Sequence, residues 1–133
     1  YMAIKDYRRS LGANLPSGTI QVVIFVPNKD RDGNDVDQGH WRDLALETLG
    51  RLFRGATAFP PGEGVWRDDE RGGTLLFEQV IIVISYVNAR ELSAKTLHEL
   101  RRFLHKFGRE ANQGEVGIII GGTYYGISRY DSV

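Results

Sequence analysis

The 133-residue chain has no cysteine. That one absence removes disulfides, thiol nucleophiles and every thiolate metal site. Net charge is absent too, with 17 basic side chains against 17 acidic ones. No whole-molecule field therefore draws the protein to nucleic acid or to an anionic membrane, and such binding would need a local patch. No apolar run approaches the ~20 residues of a membrane span. The opening Tyr1-Met2-Ala3-Ile4-Lys5 lacks a signal-peptide pattern. Cytoplasmic placement is the expectation, although Tyr1 ahead of Met2 is also what a chain trimmed of a leader would show. Chemical signatures are scarce as well. Gly117, Gly121 and Gly122 match neither a dinucleotide nor a phosphate loop. The serines at 10, 17, 85, 93, 128 and 132 sit in no nucleophile-elbow context.

Metal sites fare no better. The three histidines are His40, His98 and His105. On a helix, seven residues put the last two about 10 Å apart, too far to share one ion. The polar run Asn28 to Asp37 alternates Asp and Asn, but Gly33 comes too early for a calcium loop. The sixth residue after it is Gly39 where that loop needs Glu. No metal and no cofactor is expected.

What remains is a strong pattern of secondary structure. Leu75 to Val87, LLFEQVIIVISYV, is the longest β-branched stretch and carries one charge, Glu78. It reads as a central strand, apolar on both faces. Thr19 to Val26 reads the same way between Gly18 and Pro27. Trp41, Leu44, Ala45, Leu49, Leu52 and Phe53 lie on one side of a helix predicted over 38–54, with Asp37 as its N-cap and Gly55 as its C-cap. A second helix is predicted over 89–113, capped by Asn88, with Leu92, Leu97, Leu100, Phe103, Leu104, Phe107 and Ala111 as its apolar face. Pro60-Pro61-Gly62 limits 56–69 to an edge strand that returns through 68–73 as a hairpin. Glu115 to Ile120 is the last core strand, after which Gly121-Gly122 allows a bend.

The order strand, helix, edge strand, central strand, helix, strand is βαββαβ. It implies an α+β, ferredoxin-like fold with a four-stranded antiparallel sheet ordered 4-1-3-2 and two helices on one face. Residues 1–18 form an N-terminal arm and 19–133 a single domain. The helix-free sheet face would expose a large apolar patch. A second subunit, or the chain's own ends, is expected to cover it, and a homodimer through this face is the favoured solution.

Trp41, then Gly64-Val65-Trp66-Arg67, then Glu78 entering its strand, resembles a family of small bacterial ferredoxin-like proteins classed only as a domain of unknown function. The similarity runs over about residues 19–120 and implies the fold without an activity. In outline the chain is also similar to dimeric α+β-barrel proteins, a group with small oxygenases and ligand-binding modules.

Three functions fit these features. The leading one is a non-enzymatic module that binds a protein or small ligand, with Trp66, Arg67, Tyr124 and Tyr125 as binding residues. The second is a small enzyme with its pocket at the sheet edge, where Trp66, Arg67 and Glu78 become neighbours across the hairpin and His40 or Tyr86 assists. A cross-strand ion pair under the Trp ring is the simpler reading of the same residues. The third is a nucleic-acid-binding dimer or nuclease using Lys95, His98, Arg102, His105, Lys106 and Arg109 on the outer face of the second helix. Glu91, Glu99 and Glu110 dilute that stripe, and a solvated helix face accounts for it more simply.

Overall fold

Two strands with apolar residues at every second position, β1 (Ile20–Pro27) and β4 (Thr74–Val87), pair antiparallel along the whole of β1, from Ile20 opposite Val87 to Pro27 opposite Val80. These are the two central strands expected from their two-sided apolar pattern. The structure is a computed structural model that describes residues 6–132. Its sheet has six strands in the order β2-β4-β1-β5-β6, with β3 also paired to β4. The added elements are β2 (Thr57–Ala58), β3 (Gly62–Asp68), β5 (Val116–Ile120) and β6 (Thr123–Ile127). The four strands read from the sequence keep their expected relative order.

Two differences enlarge the sheet beyond four strands. The expected edge strand is split at its Pro-Pro step into β2 and β3, both on β4. Beyond β5, Gly121 and Gly122 both take positive φ, 61° and 86°. They make a two-residue hairpin that folds 123–127 back onto β5. Two consecutive residues in that region are what a tight hairpin demands.

Among the described residues there are three α-helices: α1 (Arg8–Leu11), α2 (Gln38–Phe53) and α3 (Ala94–Glu110). The short α1 and the rest of 6–19 bury nothing. Asp37 caps α2 as expected, its carboxylate accepting from the His40 N–H. The left-handed residue that ends α2 is Arg54, not Gly55. The second long helix starts five residues later than expected. Asn88 caps a 3-10 turn over 89–91, and Ser93 then caps α3 by accepting from the Thr96 N–H. Leu92 therefore lies outside the helix, and Leu97 is exposed.

The core sits between α2, α3 and one face of the sheet. Val22, Ile24 and Val26 from β1 meet Val83 and Val87 from β4, Leu49 and Trp41 from α2, and Leu100 and Phe107 from α3. The Trp41 and Phe107 rings lie 5.0 Å apart and join the two helices. Leu49 is fully buried there. Leu49→Ala is expected to cost about 2–5 kcal/mol, read as a lower urea midpoint with unchanged slope.

The opposite sheet face carries no helix. It presents Val23 and Phe25 of β1, Ile82, Ile84 and Tyr86 of β4, and Ile119 of β5, by the alternation of a pleated strand. Tyr86 is 59% exposed, although Gly18 of the arm lies against its backbone and Cβ. The C-terminal residues turn to the helix side instead. The Tyr130 ring lies against Gly108 of α3, and its hydroxyl donates to the Gln113 carbonyl at 2.7 Å. The Asp131 N–H donates to His105 Nδ1 at 2.7 Å, and Arg101 holds the Asp131 carboxylate through two hydrogen bonds.

Candidate functional site

β4 outruns β1. Below Val80, residues 74–79 pair only with β3, so the β3–β4 hairpin extends past the sheet. The loop after β1 packs beside it. Asn28 accepts at its side chain from the Gln79 N–H, while its own N–H donates to the Gln79 carbonyl. The hairpin, this loop and the start of β5 enclose a groove of about 980 Å³ at one end of the helix-free face. Phe25, Trp66, Glu78, Glu115 and Tyr124 line it, with Lys29, Arg31 and Arg129 at its polar side.

Glu78 reaches this groove because Gly64 stands opposite it. The side-chain-free position leaves the Glu78 stem room beside the Val80 methyl. Burial alone raises the Glu78 carboxyl above its ordinary value. Trp66 lies opposite Leu76, on the Glu78 face, and is 42% exposed.

Across the sheet, Glu115 and Tyr124 form a short hydrogen bond, the phenol donating to Glu115 Oε2 at 2.5 Å. Burial pushes the Tyr124 phenol well above its usual value, and the hydrogen bond and charge of Glu115 add to the shift. The Phe25 and Tyr124 rings are 6.3 Å apart. Glycines Gly117 and Gly126 are directly paired under this couple. A Cβ at Gly117 would meet the Tyr124 hydroxyl at 2.5 Å, and one at Gly126 would meet the Glu115 carboxylate at 2.9 Å.

Arg67 lines the groove too, but it stands opposite Leu75, on the other side of the hairpin from Glu78, and pairs with Asp69 at 2.5 Å. The expected cross-strand Arg67–Glu78 pair is not formed, because adjacent residues of one strand face opposite ways. Other expected site residues fall elsewhere. His40 is exposed on α2, edge-on to Trp41. Tyr86 is on the right face but at the far end from the groove. Tyr125 pairs with Ile118 and points under α3, into a small apolar groove with Leu97, Leu100 and Leu104. Of the two neighbouring tyrosines, only Tyr124 lines the larger groove.

The basic stripe is also thinner than expected. His105 is buried against the C-terminal residues and leaves it. Lys95, His98, Arg102 and Lys106 are exposed, Arg102 beside Glu99, while Arg109 donates to the Asp131 carbonyl. In the loop after β1, the Asp30 carboxylate accepts from the N–H groups of Asp32 and Asn34 and from the Asn112 amide. Among the described residues no group of three or more His, Asp or Glu side chains could hold a metal ion. No described helix is long and apolar enough to cross a membrane.

Glu115 was not legible as a site residue. The available signal was positional: Glu115, Gly117, Tyr124 and Gly126 share one face once 123–127 folds back on β5.

No family model and no curated protein matches the chain. Two solved structures do. A phage SAM lyase in complex with S-methyl-5'-thioadenosine is 19% identical, with a TM-score of 0.62 over 87% of this chain and 94% of that one. A phage SAM lyase in the apo state is 18% identical, with a TM-score of 0.56 over 90% and 97%. At these identities the likeness is one of fold.

Proposed function

We propose that the chain is a small enzyme that cleaves S-adenosylmethionine to S-methyl-5'-thioadenosine, with its site in the groove between the β3–β4 hairpin and β5–β6. The observation that carries this reading is the half-buried Glu78 carboxylate in a groove also lined by Trp66, Phe25 and Tyr124. A sulfonium ligand is a cation attached to a flat base. It asks for a carboxylate at one point and an aromatic surface at another. The similarity of fold to a SAM lyase supports the choice of this cation over others. The βαββαβ core is read as ferredoxin-like, extended by β6.

The chemistry demands little of the protein. As the C–S bond breaks, its electron pair goes to sulfur, and the sulfonium leaves as a neutral thioether. In the same step an oxygen of the substrate's own carboxylate attacks the γ-carbon opposite sulfur, so the new C–O bond replaces the C–S bond, a five-membered lactone forms, and no proton has to be transferred. Charge disappears along this path, so partial removal of water from the bound cation favours it. Glu78 holds the cationic end of the substrate, and Trp66 offers a face for the base.

The test is incubation of the purified protein with S-adenosylmethionine and chromatographic detection of S-methyl-5'-thioadenosine. Formation well above the spontaneous rate is expected. No product, together with no binding of S-methyl-5'-thioadenosine at millimolar concentration, would remove this reading and leave the non-enzymatic ligand-binding module.

A second feature supports self-association. On the helix-free face Tyr86 is exposed at the end away from the groove, and Ile82 and Ile84 beside it are only partly buried. We infer that a second copy packs there. Native mass spectrometry of the wild type should give a dimer or larger closed assembly, and Tyr86→Lys a monomer. A wild-type monomer overturns the assignment.

A further inference from the structure

Glu115 and Tyr124 form a unit that the proposed cleavage does not by itself require. The phenol spends its only proton on Glu115 Oε2. The pair therefore faces the groove with acceptors alone: the other carboxylate oxygen, and lone pairs on both partners. Nothing in it can donate. The two glycines beneath it are not turn glycines, since neither has positive φ. Their role is spatial. The phenol lies over Gly117 and the carboxylate over Gly126, and a methyl group at either position would displace what lies above it. The sequence thus leaves two facing side chains out of the β5–β6 ladder to seat one hydrogen-bonded couple on the sheet.

Glu78 sits on β4 and Glu115 directly before β5, with β1 between the two strands. Two strand spacings separate them by about 10 Å laterally. They are therefore two subsites. Glu78, partly stripped of water, suits the cation. Glu115, its charge shared with a phenol, suits neutral hydroxyl donors. A ribose offers two such donors on adjacent carbons, a spacing one carboxylate bridges.

We propose that the Glu115–Tyr124 couple, seated on the Gly117–Gly126 floor, is an acceptor for the 2'- and 3'-hydroxyls of a ribonucleoside, with Tyr124 as the positioning residue. This rests on the reading of the groove as an adenosyl site, and it names the part of the ligand that the couple selects.

Calorimetry with S-methyl-5'-thioadenosine and its 2'-deoxy analogue tests it, on the wild type, Tyr124→Phe and Gly126→Ala. The wild type is expected to prefer the ribose form about tenfold or more, the loss of one hydrogen bond to a charged acceptor. Tyr124→Phe frees the carboxylate. Gly126→Ala displaces it without touching ligand and at no backbone cost, since alanine adopts strand geometry freely. Both should weaken the ribose form about tenfold and bring the ratio near one, with unchanged circular dichroism. Equal wild-type affinity for both nucleosides would overturn the inference while leaving the adenosyl site standing. So would a preference that survives in both variants. Selective binding without any cleavage would overturn the lyase reading and keep this one. No nucleoside binding at millimolar concentration would overturn both.

Discussion

Glu78→Gln is expected to lower kcat/KM for formation of S-methyl-5'-thioadenosine at pH 7 about 10- to 100-fold, the scale of losing one charged contact to a bound cation. Glutamine keeps the shape and a hydrogen-bonding carbonyl but cannot offset a cation. Activity of the wild type should rise with pH through a single acidic limb, because only the ionised carboxylate binds the cation. That limb should lie above 4.5, since burial raises Glu78 from that value. The same substitution should raise the melting temperature at pH 7. An acid whose pKa is higher in the folded state contributes most below its unfolded value and loses that contribution as pH rises through the folded one. The advantage of Glu78→Gln in melting temperature should therefore shrink toward zero below pH 4.5. An unchanged kcat/KM in Glu78→Gln would remove Glu78 from the site. A stability gain without an activity loss would mean the groove is not where the chemistry occurs.

Gly108→Ala is expected to change the sign of its effect with the residue that faces it. Gly108 lies in the last turns of α3, where alanine is normally the better helix former by up to about 1 kcal/mol. Here an added Cβ falls inside the Tyr130 ring. That ring cannot easily withdraw. Its hydroxyl is bound to the Gln113 carbonyl, its edge meets His105 at a centroid distance of 6.0 Å, and the next residue is clamped by Arg101 and His105. The side-chain hydrogen bond from Arg101 holds the Asp131 carboxyl below its ordinary value, against a burial effect of opposite sign. Overpacking should outweigh propensity and cost about 1–3 kcal/mol net. In a Tyr130→Ala background the same change should stabilise by up to about 1 kcal/mol. Urea unfolding of the four proteins in the double-mutant cycle measures the coupling directly. A stabilising Gly108→Ala in the wild-type background would show that the C-terminal residues do not pack on α3.

Much of the fold was legible because the local pattern and the tertiary environment agree. β1 and β4 are apolar on both faces, and they are the central strands. The α3 positions 100, 103, 104 and 107 recur at helical spacing and fill the core. One error came from burial created by residues distant in sequence. His105 falls outside the apolar stripe of its own helix, and only a segment 26 residues later covers it. Ser93 took the cap expected of Asn88 because a 3-10 turn intervenes, which residue preference alone does not separate from a helix start. Strand alternation was readable as well: Trp66 and Arg67 lie on opposite faces of one strand, as do Tyr124 and Tyr125. Gly121-Gly122 between two apolar segments is a hairpin signal in its own right.

The unequal lengths of β1 and β4 have a dynamic consequence. Residues 64–68 and 74–78 form a ribbon of two strands with no third neighbour, and Val65, Leu75 and Phe77 on it are exposed. A two-stranded ribbon has little stability of its own. Its amides should exchange with deuterium by local opening, at rates set by the ribbon, while those of Val22–Ile24 wait for global unfolding. Glu78 and Trp66 ride on the ribbon, whereas Glu115 and Tyr124 are fixed to the sheet. One wall of the groove is therefore soft and the floor is stiff. A ligand bridging them pays the entropy of quieting the ribbon, and its arrival should be recorded as slowed exchange at 74–78 with no change at 118–120.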